Sequence, residues 1–120
     1  MATPNLNSIT TVIPKVLASA QLASGDTTVY TVGASKAAKL AKLVLTNTSA
    51  SAVTVSVSVV PSGGTVDGTH KVVSAYSIAA GDSTAITEAE NIWLGAGDFI
   101  SVNASAATSI NVLASGLEFS

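Results

Sequence analysis

The segment 53–59 limits what this chain can fold into more than any other part of its sequence. Four valines at every second position alternate with three hydroxylated residues: Val53, Val55, Val57 and Val59 with Thr54, Ser56 and Ser58. A period of two with β-branched side chains is typical of a strand that buries one face and exposes the other. We therefore expect a half-covered β-strand with a valine face and a hydroxyl face.

Other segments carry the same alternation or the same β-branched content. They lie at residues 29–32, 71–78, 83–86, 100–103 and 109–112. The dipeptide Gly-Asp occurs in front of three β-prone stretches, at residues 25–26, 81–82 and 97–98. Gly permits a positive φ and Asp bonds back to the turn, so these dipeptides predict corners between strands. The pattern predicts an all-β fold, a single antiparallel β-sandwich (jelly-roll or Ig-like) of about 7–8 strands.

The segment 35–45 fits two structures. Its alanines and leucines have good helix propensity, and Lys36, Lys39 and Lys42 have the spacing of one helical face. Residues 43–46, however, continue through a turn at 47–51 into the valine strand, which indicates a hairpin. We favour a strand from about Lys39 onwards, joined to the valine strand as a hairpin.

The first fifteen residues differ from the rest of the chain. They contain Pro4 and Pro14 and show no sustained period. Proline removes a hydrogen-bond donor and favours extended backbone, so this segment is either a frayed terminus or an arm on a neighbouring subunit. We predict an extended N-terminal arm over residues 1–15 and a β-sandwich domain over residues 16–120.

The composition argues against several classes of function. The chain has no Cys and no Arg, its net charge is −2, and charged residues make up 10% of it. Without Cys it has no disulfide, thiolate nucleophile or Cys-based metal site. A slightly acidic chain without Arg suits a phosphate backbone poorly, so we expect no nucleic-acid partner. No apolar stretch reaches the ~18 residues of a membrane span, and Met1–Asn7 does not resemble a signal peptide.

The sequence also lacks a convincing catalytic set. His70 is the single imidazole, so any Ser–His scheme would depend on it. Asp67 and His70 supply two ligands, which do not make a metal site. Glu88 and Glu90 would share one face of a strand, as a carboxylate pair does, but we favour a polar approach to the apolar residues 92–94. We therefore expect no enzyme activity, no cofactor and no metal.

Several motifs occur together in a familiar order. They are TVYTV at 28–32, KLVLTNT at 42–48, the valine strand, YSIAAGD at 76–82 and WLGAGDFISV at 93–102. In this order, over residues 20–119, the chain resembles small β-sandwich virion proteins of tailed bacteriophages, which include capsid decoration (cement) proteins and minor head or tail proteins. The resemblance implies a structural virion protein on the capsid surface, assembled in the host cytoplasm. Its partners would be further copies of itself, as a homotrimer, and the major capsid protein.

Such a protein needs an interface, and low surface charge suits a surface that many copies cover. The candidate interface residues come from the arm and from the single Trp: Pro4, Leu6, Ile9, Val12, Ile13, Pro14 and Trp93. The alternative is a phage tail or tail-tip adsorption or carbohydrate-binding module. Its contact surface would be Trp93 with the loop 61–70, since an exposed Trp serves as an interface anchor or as a sugar platform.

Overall fold

A computed structural model describes residues 5–120, with Leu6 described by its backbone alone. Within these residues nine strands and two 3₁₀ helices, Leu6–Ser8 and Thr87–Ala89, account for the regular structure. The strands are β1 Val12–Gln21, β2 Gly25–Thr31, β3 Ala37–Asn47, β4 Val53–Val60, β5 Lys71–Ile78, β6 Ser83–Ala85, β7 Ile92–Leu94, β8 Phe99–Ala104 and β9 Ile110–Phe119. No helix in this part of the chain has the length and apolar character to cross a membrane.

The strands form two antiparallel sheets packed face to face. The first sheet has the order β1-β9-β3-β6, with β7 also paired to β3, and the second has the order β2-β8-β4-β5. The predicted all-β sandwich is therefore confirmed. The predicted hairpin is wrong, because β3 belongs to the first sheet and β4 to the second. Each of these strands has one strongly apolar face, and both faces are buried when the strands oppose each other across the core.

A buried asparagine closes the corner between β3 and β4. The Asn47 side chain is fully buried, and its Nδ2 donates to the backbone oxygens of Ser51 at 2.8 Å and Ile78 at 2.9 Å. Its Oδ1 accepts from the backbone N–H of Ser49 at 2.9 Å. A buried amide with these partners is satisfied and holds the chain in one geometry. Asn47 thus directs the chain from one sheet to the other.

The segment with two possible structures forms strand β3, so the helix alternative is wrong. The strand begins at Ala37, two residues before the predicted start. Leu40, Leu43 and Leu45 are fully buried, although their spacing includes a step of three. The step arises because the pairing with β9 shifts between Leu40 and Lys42, so that Ala41 is an extra residue. A β-bulge therefore produces the helix-like spacing.

The valine strand follows its predicted pattern for most of its length. Val53, Val55 and Val57 are buried in the core. Val59 continues this face, since it is paired with the buried Ile100 and packs against the core while half-buried itself. The expectation of an exposed hydroxyl face is wrong at the strand end, because Ser58 and residue 60 on the opposite face are buried as well. The register with β5 shifts between residues 57 and 58 because β5 has an extra residue there, while β4 keeps an uninterrupted register with β8.

The Gly-Asp corners have the predicted backbone. Gly25, Gly81 and Gly97 all have φ between 71° and 86°. This left-handed region is open to glycine and strained for residues with a Cβ. The corner prediction is confirmed at all three positions, although Gly25 is also the first residue of β2.

Strand β1 begins within the predicted arm. Residues 12–15 pair with β9, so the strand starts four residues before the predicted boundary of the sandwich. The preceding residues are held as well, since the N–H groups of Thr10 and Thr11 donate to the backbone oxygen of Ser120 at 2.9 and 3.0 Å. The N–H of Ser120 donates back to the oxygen of Thr11 at 3.0 Å. Residues 10–11 therefore lie beside Ser120.

We expect Gly116→Ala to destabilise the fold severely. A Cβ at this position would collide with the backbone oxygen of Lys39 and lie 3.0 Å from the nitrogen of Ala41, both on β3. Backbone cannot give way as a flexible side chain can, so we predict a loss of about 3 kcal/mol or more in the free energy of unfolding. Chemical denaturation measures the change. Gly68→Ala is the control, because its Cβ would meet open space, and a wild-type midpoint for Gly116→Ala would contradict the prediction.

Candidate functional site

The outward face of the first sheet is the most apolar exposed surface of the described chain. Four of the six large hydrophobic side chains that remain exposed lie on it: Val12, Val16, Leu113 and Trp93. We call this surface, with Pro14 and Leu117, the outer apolar face. A contiguous apolar surface of this kind marks an interaction site more often than scattered single residues do.

The alternation of side chains along β9 determines which of its residues lie on the outer apolar face. Val112 and Ala114 are buried in the core, so Leu113 between them points outward. No register shift interrupts β9 after Ala114, and the odd-numbered residues Leu117 and Phe119 continue the outward row. Strand β9 therefore supplies two leucines and a phenylalanine to the outer side.

Strand β1 supplies the next row. Val12, Pro14 and Val16 are paired with residues 119, 117 and 115 of β9, so the three side chains share the outward face with them. After Val16 the register shifts, and Ala18 is paired with the buried Ala114. The bulge between them lets the first half of β1 present apolar side chains outward while the second half turns toward the core.

Trp93 of β7 completes the face and is its most exposed large residue, at 57% exposure. Its ring stacks on Phe119 with centroids 5.6 Å apart and an interplanar angle of 21°. The Nζ of Lys39 lies 5.3 Å from the centroid of the indole ring, within the range of a cation–π contact. Stacking and charge together hold the indole ring in one position on the surface.

The structure brings three of the predicted interface residues together. Val12, Pro14 and Trp93 all belong to the outer apolar face. Ile13 does not, because it is paired with Glu118 and lies on the opposite side of β1, where it is 46% exposed. Alternation along the strand thus separates residues that sequence reasoning grouped by proximity.

The remaining arm residues lie before β1. Ile9 is half-buried, Leu6 opens the first 3₁₀ helix, and Pro4 lies outside the described residues. Sequence reasoning missed Val16 and Leu113. The period of two would have found both, since Val16 follows Pro14 by two positions and Leu113 lies beside the inward Val112.

A buried carboxylate ties the edge strand to the body of the sandwich. Glu118 is 9% exposed. It accepts from the Tyr30 hydroxyl at 2.9 Å and from the Nζ atoms of Lys36 at 3.3 Å and Lys15 at 3.4 Å. Burial alone would raise the pKa of Glu118, but the Tyr30 hydrogen bond and the two lysines more than offset it, so its pKa is lowered. Burial and Glu118 together raise the pKa of Tyr30.

The candidate metal and carboxylate pairs do not form sites. His70 Nδ1 lies 3.2 Å from Asp67 Oδ1, and hydrogen bonds from Thr69 lower the pKa of Asp67. Residues 5–120 nevertheless contain no group of three or more His, Asp or Glu side chains that could hold a metal ion. Glu88 lies in the second 3₁₀ helix and Glu90 pairs with Lys42 at 3.6 Å, so the two carboxylates do not share a strand. The favoured interpretation, a polar segment in front of residues 92–94, agrees with this arrangement.

Comparison of the chain with protein-family models, with curated proteins and with solved structures gives no match. We therefore infer function from the surfaces of the described residues. Among these, the outer apolar face combines exposed aromatic and aliphatic side chains from three strands of one sheet, β1, β9 and β7.

We expect Glu118→Gln to lower stability in a pH-dependent way. Because the folded-state pKa of Glu118 lies below its unfolded value, its contribution is present above the ordinary carboxyl pKa of about 4.3 and is lost as the pH falls through the folded value. At pH 7 the variant should lose about 1–2 kcal/mol of unfolding free energy. The difference from wild type should shrink below about pH 4.

Urea denaturation from pH 3 to pH 7 provides the measurement. The control is Glu90→Gln, whose partner Lys42 is exposed, so the change should stay within about 0.5 kcal/mol. A Glu118→Gln difference that does not vary over this pH range would contradict the proposed role of the carboxylate.

Proposed function

We propose that this chain is a structural virion protein, a capsid decoration (cement) protein that binds the outside of a tailed-phage head shell and stabilises it. The outer apolar face is the observation that carries this proposal. Its partners are further copies of the chain, with a trimer as the copy number that the family resemblance implies, and the major capsid protein. The protein would be assembled in the host cytoplasm and located on the capsid surface.

The size of the outer apolar face suits a protein partner. The first sheet is four strands wide along its main path and its edge strand is ten residues long. With strands about 4.8 Å apart and a rise of about 3.3 Å per residue, the whole outward side of this sheet, which contains the outer apolar face, measures roughly 600 Å². Two such surfaces bury about 1,200 Å² in total, at the lower limit of specific interfaces. Repetition around a symmetric shell adds avidity to contacts of this size.

The chemistry of the face agrees with an interface. Interface centres are depleted in charge and enriched in aromatic residues, with charged groups at the rim. Here Trp93, Leu113 and Val16 are the exposed apolar residues, and the two lysines of β3 lie between the strand of Trp93 and β9. Both lysines have partners, since Lys39 packs over the Trp93 ring and Lys42 pairs with Glu90. A Trp that is fixed by stacking pays little entropy on binding, which favours it as the main anchor.

The strand order supports the proposal through a jelly-roll arrangement. If β6 and β7 are counted as one interrupted strand, the sheets β1-β9-β3-β6 and β2-β8-β4-β5 have the order of an eight-stranded double Greek key. Viral capsid domains and lectins use that arrangement. Since one fold serves many functions, it adds to the argument from the surface without replacing it.

A phage tail or tail-tip adsorption or carbohydrate-binding module is the second candidate. The exposed ring of Trp93 favours it, because sugars pack on aromatic rings. Phe119 and Lys39 compete with a sugar for the faces of this ring, however. The loop 61–70 that would share the surface follows β4 of the opposite sheet. Both facts favour a protein partner for Trp93.

We expect Trp93→Ala and Leu113→Asp to abolish binding to undecorated shells. The first removes the anchor and the second places a charge in the outward row of β9, where burial of an unpaired carboxylate against a partner is costly. Shell occupancy, measured by co-sedimentation, should fall at least tenfold, and the native mass of the free protein should fall if the same face joins copies.

Tyr76→Ala is the matched control, since Tyr76 is 48% exposed but lies on the second sheet. It should bind shells as wild type does. Circular dichroism and thermal melting establish that each variant is folded. Wild-type occupancy for both face variants would refute the role of the outer apolar face, and a wild type that does not bind shells at all would refute the proposed function.

A further inference from the structure

A cleft opens at one edge of the sandwich, where β5 of the second sheet faces β6 and the second 3₁₀ helix. Its volume is about 170 Å³, and it is lined by Val73 and Tyr76 of β5 and by residues 84–88. No residue of the outer apolar face contributes to it. Because one water takes up about 30 Å³ of liquid, the cleft has room for one small molecule.

A bulge in β5 directs Tyr76 into this cleft. Tyr76 is paired with the buried Val55, so its side chain lies on the inward side of the strand. The two residues before Tyr76, Ser74 and Ala75, lie opposite the single residue Ser56 of β4. The backbone N–H of Ala75 donates to the Oγ of Ser56 at 2.9 Å. Ala75 has a φ of 51°, a left-handed value that is costly for alanine. Without the extra residue, Tyr76 would point away from the cleft.

The cleft has an apolar floor and a polar rim. Ile86 is 3% exposed and Val73 is half-buried, while the ring of Tyr76 is 48% exposed and forms one wall. On the other side the hydroxyl of Thr87 lies 3.4 Å from a carboxylate oxygen of Glu88. The four ion pairs formed by the described residues do not include Glu88. Its carboxylate therefore remains available to a ligand.

We propose that this cleft binds one neutral pyranose ring. The C–H face of a sugar packs against an exposed aromatic ring, and its hydroxyls donate to the carboxylate of Glu88 and to the oxygen of Thr87, whose own proton is directed to Glu88. An apolar floor with a few convergent polar groups is the usual composition of a small-ligand site. The charge of Glu88 repels acidic sugars, which makes neutral sugars the preferred class.

This proposal goes beyond shell decoration and does not depend on it, because the cleft and the outer apolar face belong to different surfaces. The two sites also supply each other's controls. Trp93→Ala should leave sugar binding unchanged, just as Tyr76→Ala should leave shell binding unchanged. A failure of one proposal is therefore distinguishable from a failure of the other.

The test is a titration of the ¹⁵N-labelled protein with methyl glycosides of glucose, galactose, mannose and N-acetylglucosamine, followed by amide chemical shifts. We expect at least one glycoside to give saturable shifts at millimolar concentration, at Val73, Tyr76 and residues 84–88. Methyl glucuronoside should bind at least threefold more weakly than methyl glucoside, because its carboxylate faces Glu88.

Substitutions then test the two walls of the cleft separately. Tyr76→Ala and Glu88→Ala should each weaken binding about tenfold or more, whereas Tyr76→Phe retains the ring and should stay within threefold of wild type. Backbone amide spectra establish that the variants are folded. The proposal is overturned if none of the four glycosides gives saturable shifts in the cleft, if the shifts survive Tyr76→Ala, or if tetramethylammonium binds there and the glycosides do not.

Discussion

The uninterrupted strand β9 is the constraint on which both faces of the first sheet depend. Its two neighbours, β1 and β3, each contain one extra residue at the level of Ser115, at Leu17 and at Ala41. An inserted residue shifts the alternation of a strand by one position. In each neighbour, the inward side chains are therefore even-numbered on one side of the insertion and odd-numbered on the other. The same register therefore buries the leucines of β3 and turns the valines of β1 outward. Gly116 lies beside this level, where the β3 backbone approaches most closely.

Features that depend on local backbone chemistry could be predicted from the sequence. The Gly-Asp corners and the valine strand follow from rules that involve only a few neighbouring residues. The pairing of β3 with β4 could not be predicted, because adjacent strands can turn back beside each other or cross to the opposite sheet. The buried amide of Asn47 decides between these outcomes through contacts with Ile78, which is far away in sequence. The helix-like spacing of the leucines in β3 also could not be interpreted locally, because the extra residue Ala41 produces a step of three between two inward side chains.

The residues of the candidate surfaces also divide into those that a local pattern predicts and those that depend on distant contacts. Trp93 was expected at an interface, but its exposed position follows from its pairing with Lys39, which no local pattern reveals. Val16 and Leu113 were readable from alternation alone. Tyr76 was not, because its direction depends on a left-handed φ at an alanine, a residue type that carries no sequence signal for that conformation.

The pairing of Thr11 with Ser120 has a mechanical consequence. Thr11 and Ser120 are bonded to each other, and β1 and β9 run antiparallel from that point. A force that pulls the two ends apart would therefore load the hydrogen bonds between these strands one after another, as in a zipper. A force applied across the outer apolar face would be shared by the many contacts of the sheet at once. An attachment through the face therefore resists tension far better than an attachment through the terminal segment.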